Sequence, residues 1–133
     1  MTRGLLDTST LILLGRVIDI SALPDEPLIS SVTLAELSVG PLVAATDEDR
    51  AARQAHLQLA EADFDPLPFD AAAARAFGAV AASLRSAGRK PAARSYDAMI
   101  AAIAIANDLP LYTCNPRDFD GIPGLRVIRI AFE

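Results

Sequence analysis

The sequence predicts an α/β domain, a three-layer α/β/α sandwich around a central, mostly parallel sheet. Three observations predict it. Short apolar runs alternate along the chain with longer segments of helical periodicity, the pattern of strand–helix–strand units. One helical segment, Ala98–Ala106, is apolar on all sides and has to be buried among other elements. The 133 residues are 52% hydrophobic and 22% charged, which suits one apolar core and leaves little chain for a second. No repeat, low-complexity tract or linker interrupts them, so a single domain over residues 1–133 is expected.

The elements follow in order. Gly4-Leu5-Leu6 reads as a short buried strand ending at Asp7, and Thr8–Leu14 as a helix. Leu28–Val32 reads as a second strand after the breakers Pro24 and Pro27, with Thr33 opening the next helix. Thr46–Ala62 is an amphipathic helix: Asp47, Glu48 and Asp49 fill its first turn, where the helix dipole favours acids, and Ala52, Ala55, Leu59 and Ala62 recur on one face. Leu67-Pro68-Phe69 is a weak strand whose proline confines it to an edge. Ala71–Ser86 is a helix with Ala73, Phe77, Val80 and Leu84 in register, and a polar loop at 87–91 separates it from a helix over Asp97–Asn107. Leu109–Thr113 and Leu125–Ile130 supply the last two strands.

Composition narrows the function. Seventeen acids against twelve bases give a net charge of −5, which argues against a protein that coats nucleic acid by bulk charge. The imbalance is local: residues 1–70 hold twelve acids and four bases, residues 71–133 five acids and eight bases. A lone Cys114 excludes an internal disulfide and a cysteine zinc site. The longest apolar run is nine residues, against about 20 needed to span a bilayer. Asp7 interrupts the apolar start before a signal-peptide core of about 7–15 residues can form. A cytoplasmic location is expected.

In a parallel sheet, ligands bind beyond the carboxyl ends of the strands. Asp7, Thr8 and Ser9 follow the first strand there, Thr33 and Glu36 the second, and Asn115 and Asp118 the strand ending at Thr113, while Asp97 lies in the first turn of the apolar helix. Each also has a plainer reading. Asp7 and Asp97 suit helix caps, Thr33 with Glu36 fits a capping box, and Asp118 could fix a turn before Gly121. Four such acids at one end of a sheet suggest instead a cation site, because close carboxylates repel unless a cation compensates them. Oxygen ligands without His or Cys suit Mg²⁺ or Mn²⁺, ions that activate water in phosphodiester hydrolysis.

Leu5-Leu6-Asp7-Thr8-Ser9, Ser31-Val32-Thr33-Leu34-Ala35-Glu36-Leu37 and Asp97-Ala98-Met99-Ile100-Ala101-Ala102 resemble the three acidic motifs of PIN-domain nucleases. Leu111–Phe119 resembles the fourth, and order, spacing and length are similar to those of VapC-type toxins of bacterial toxin–antitoxin pairs. The resemblance implies a PIN-like fold and an Mg²⁺- or Mn²⁺-dependent endoribonuclease with one or two ions per site. It implies catalytic, metal-holding acids at Asp7, Glu36 and Asp97, with Asp118 as the fourth and Asn115 as a polar supporter. Thr8, Ser9, Thr113 and Asn115 would orient the acids or touch phosphate. RNA as substrate, a VapB-type antitoxin over the acidic site and a homodimer are implied as well.

Other residues have narrower readings. Arg85, Arg89, Lys90 and Arg94, directly before Asp97, are either a solvated loop or a positive rim for RNA phosphates. The only histidine, His56, reads as a boundary residue, and Cys114, lacking a histidine partner, as a buried filler. Three rivals remain: a PIN nuclease of RNA processing unrelated to toxins, a haloacid-dehalogenase-type phosphatase, and a non-catalytic, receiver-like or metal-binding module with an acidic pocket. The phosphatase needs a second Asp where Ser9 stands. A receiver expects a lysine near its end, and the only lysine is Lys90.

Overall fold

The structure, a computed structural model, describes residues 1–89 and 95–133. Its strands are β1 (Arg3–Leu6), β2 (Glu26–Leu28), β3 (Leu111–Thr113) and β4 (Val127–Arg129). Its helices are α1 (Thr8–Ile12), α2 (Ser31–Val43), α3 (Asp47–Asp63), α4 (Ala71–Ser86) and α5 (Ser95–Ala106). The four strands form one sheet in the order β2-β1-β3-β4, and every pairing is parallel.

The three layers follow from the alternation of side chains along a strand. Leu5 and Leu6 are both fully buried, yet they belong to different cores. Leu5 and its partner Leu111 pack with Val80 and Leu84 of α4 and Ile100 and Ile103 of α5. Leu6 and its partner Tyr112 pack with Leu11 of α1, Leu37 of α2 and Ala60 of α3. The apolar helix lies where its composition requires, with Ala98 and Ile100 to Ala104 buried. Gly4 admits the Tyr112 ring to the β1 backbone, where an added Cβ would overlap it.

Several boundaries differ from the sequence expectation. The second strand is Glu26–Leu28 rather than Leu28–Val32, and Pro27 lies inside it. Pro27 is tolerated because β2 is an edge, where a missing N–H costs the ladder nothing. The Ser30 hydroxyl caps α2 by accepting the Thr33 N–H at 3.2 Å, so the helix begins at Ser31 and takes in Val32. Leu67–Phe69 forms no strand: Leu67 makes one isolated bridge to Ser30, and Pro66 and Pro68 on either side supply no donors to extend it. The first helix stops at Ile12 and continues as a 3₁₀ turn at Leu14–Arg16. The last two strands are shorter at both ends or one, Leu111–Thr113 and Val127–Arg129. The remaining helices lie within two residues of their expected limits.

Candidate active site

Asp7 stands at the carboxyl end of β1 and is the N-cap of α1, the plainer of its two readings. Its Oδ1 accepts the Thr10 N–H at 3.1 Å and the Thr10 hydroxyl, and its Oδ2 accepts the Thr113 hydroxyl at 2.7 Å and the Ser9 hydroxyl at 3.4 Å. The carboxylate is 4% exposed and is held by these neutral donors, with no basic side chain paired to it among the described residues. Buried charge needs such donors to offset lost hydration.

A relay of polar groups connects β3 to this carboxylate. The Thr113 hydroxyl accepts the Asn115 N–H at 2.9 Å while donating to Asp7, and Asn115 Nδ2 donates to Ser9 Oγ at 3.3 Å. Thr10 completes the cross-link, because its hydroxyl accepts the Cys114 N–H at 3.0 Å and approaches Cys114 Sγ at 3.6 Å. Cys114 is buried here as a filler. Thr10 was absent from the sequence expectation; the signal that could have found it is a hydroxyl residue three positions after a capping Asp.

Glu36 reaches the same region from α2. It does not close a capping box on Thr33, since Ser30 caps that helix. Instead Glu36 Oε1 accepts the Thr8 hydroxyl at 2.7 Å. Thr8 spends its only proton there, so the Thr33 hydroxyl, 3.0 Å away, donates to Thr8. Burial pushes the Glu36 carboxyl above its usual range, the Thr8 hydrogen bond pulls it back, and the nearby Asp7 charge raises it again.

The hydrogen bonds thus form two groups, one joining Asp7, Ser9, Thr10, Thr113 and Asn115 and one joining Glu36, Thr8 and Thr33, near enough for the Asp7 charge to act on Glu36. Asp97 lies half-buried in the first turn of α5, which leads into β3 and returns along the sheet, so that turn lies at the end where β3 finishes. Asp118 lies half-buried in the 3₁₀ turn Pro116–Phe119, directly after Asn115. Among the described residues no three acid, histidine or cysteine side chains stand close enough to hold a metal ion, so the four acids do not form a closed cage.

Two depressions flank the network. A cleft of about 420 Å³ is lined by Thr8 and Glu36, by Ile12 and Leu37, and by Arg53 and His56 of α3. Its far wall is fixed because Arg50 and Arg53 donate to the carbonyls of Pro41 and Gly40 at the end of α2. His56, distant in sequence from every acidic motif, is half-buried and lines the same cleft as Glu36. A groove of about 570 Å³ on the other side runs past Cys114, Asn115 and Asp118 between Arg117 and Arg129. Of the expected basic rim, Arg89 donates to the Arg117 and Asp118 carbonyls at 3.0 and 3.4 Å, and Arg85 is exposed on α4 in a depression it shares with Ser95. Lys90 and Arg94 lie outside the described residues.

A model of the PIN domain matches residues 5–125, a span that holds all four acids. The chain belongs to the PIN-domain family. Ribonuclease VapC5 of Mycobacterium tuberculosis is 41% identical to this PIN domain over 132 residues, covering 96% of it and 95% of the relative. The crystal structure of VapBC-5, a member of the VapBC family of toxin–antitoxin systems from the same organism, matches with a TM-score of 0.83 at 38% identity, covering 97% of this chain and 99% of that one. A DNA-bound VapBC from Salmonella typhimurium matches with a TM-score of 0.72 at 28% identity, over 97% and 98% of the two chains.

Proposed function

We propose that this PIN domain is a divalent-metal-dependent endoribonuclease and the toxin of a VapBC-type toxin–antitoxin pair. The observation that carries this reading is the buried Asp7 carboxylate, fixed by four neutral donors and set near Glu36, with no cationic side chain paired to either among the described residues. Its similarity to a ribonuclease over nearly the whole chain supports the substrate class.

The donor set fits a hard cation. Its ligating groups are oxygens, and the second carboxylate is destabilised in its charged form, a penalty a cation would relieve. Asp7 and Glu36 would hold one or two Mg²⁺ or Mn²⁺ ions, with Asp97 and Asp118 completing the set. When bound, the ion supplies Lewis-acid charge at the scissile phosphate and an activated water.

The chain's own groups do the positioning. Thr10 and Thr113 fix both oxygens of Asp7, Thr8 aims Glu36, and Ser9 and Asn115 present polar atoms at the groove edge. Arg85 and Arg89, with Lys90 and Arg94, are assigned to contacts with RNA phosphates. A VapB-type antitoxin over the acidic site, a homodimer and a cytoplasmic location complete the proposal; no helix among the described residues is long and apolar enough to cross a membrane. The test is incubation of the purified chain with structured RNA and Mg²⁺ or Mn²⁺. Cleavage that stops on adding EDTA is expected, and cleavage that persists in EDTA, or is absent with both metals, overturns the reading.

A further inference from the structure

Arg129 lies on β4, the edge strand, as the register partner of Thr113, whose hydroxyl holds Asp7. Partners in a parallel ladder project to the same face, so Arg129 extends from the strand position next to the site. Across the groove stands Arg117, in the turn that carries Asp118. Both arginines are exposed. Neither has an acidic partner among the described residues, whereas Arg3, Arg50, Arg53 and Arg126 pair with Glu26, Asp47, Asp49 and Asp108. The groove between them opens at Asn115, the outer member of the Asp7 relay.

We propose that Arg117 and Arg129 form a phosphate-binding track that carries the single-stranded RNA on one side of the scissile bond out of the site and over the β4 edge. This rests on the nuclease reading above and gives the substrate its path. Two planar guanidiniums about a groove suit successive backbone phosphates. Among the described residues no aromatic side chain lines the groove, so the track grips the backbone without stacking bases. The charge balance agrees, since residues 71–133 hold eight bases against five acids. An edge-strand arginine could serve only to prevent strand-to-strand association, which would leave RNA affinity untouched by its loss.

The test is fluorescence anisotropy of a labelled single-stranded oligoribonucleotide, with EDTA preventing cleavage, on the full chain and on Arg117→Gln/Arg129→Gln. The double variant is expected to raise the Kd on the order of tenfold and to lower the slope of log K against log salt by about 1.4, that is about 0.7 per lost contact. Arg117→Lys/Arg129→Lys, which keeps the charge, should retain most of the binding, and Arg75→Gln, an exposed arginine on α4, should change neither quantity. In cleavage with Mn²⁺ the Gln variant should raise KM with kcat little altered. An unchanged Kd and slope in a protein whose wild type cuts RNA overturns the track and leaves the nuclease reading standing. Equal loss in Arg75→Gln overturns it too, by showing a bulk-charge effect. So does loss of binding to a VapB-type antitoxin with RNA binding intact, which would give the groove to a protein. A wild type that cuts no RNA with either metal removes both readings together.

Discussion

Glu36 pays part of the cost of assembling the acidic site. Its folded-state pKa is raised, so the neutral form is favoured by folding. The stability this contributes is fully present below the ordinary value of 4.5 and is lost as pH rises through the higher folded-state pKa. At neutral pH the metal-free protein therefore carries a penalty that Glu36→Gln removes while keeping an oxygen for the Thr8 hydroxyl. Urea unfolding in EDTA should find the Gln variant more stable than wild type at pH 7, with the gap closing below pH 4.5. Saturating Mn²⁺ should reverse the order, since an ion at 100 times its Kd stabilises its holder by about 2.7 kcal/mol. Wild type and variant with equal pH dependence would remove Glu36 from the site's electrostatics.

At the scale of elements, the site depends on where α2 starts. Ser30 is fully buried and caps the helix that presents Thr33 and Glu36 to Thr8. Ser30→Ala leaves the Thr33 N–H without that acceptor and should cost about 1–2 kcal/mol in urea unfolding. A loss within about 0.5 kcal/mol would show that tertiary packing alone sets this helix end. The same element shows how much was legible beforehand. Asp7 was readable because a strand of three apolar residues stops on it, and α5 because an all-apolar helix has one place to go. The start of α2 is not legible in the sequence because Leu28 to Val32 looks like a strand by composition, while one serine hydroxyl at a helix cap decides it. Pro27 misled in the same way, since its tolerance follows from β2 being an edge, a property of strand order. The role of Thr10 depends on a contact across more than a hundred residues, the cleft position of His56 on helix packing, and the Arg117–Arg129 groove on the β3–β4 register, none of which a local pattern records.

For the molecule as a whole, the net charge of −5 misstates what a polyanion would meet. Acids concentrate in residues 1–70, which supply Asp7 and Glu36, while the groove beyond Asn115 is bounded by arginines from residues 71–133. The two core clusters on opposite faces of the sheet fix β1 and β3 side by side, and that pairing sets Asp7 against Thr113. The fold thus holds one carboxylate with hydroxyls from α1 and β3 and brings a second near it on α2. The most direct measurement is the single-turnover rate of RNA cleavage in Mn²⁺ for wild type and Asp7→Asn, with circular dichroism confirming that both are folded. A folded Asp7→Asn variant slower by at least about 100-fold is the predicted result. A folded variant that cuts RNA at the wild-type rate would contradict the assignment of the Asp7–Glu36 centre as the site of chemistry.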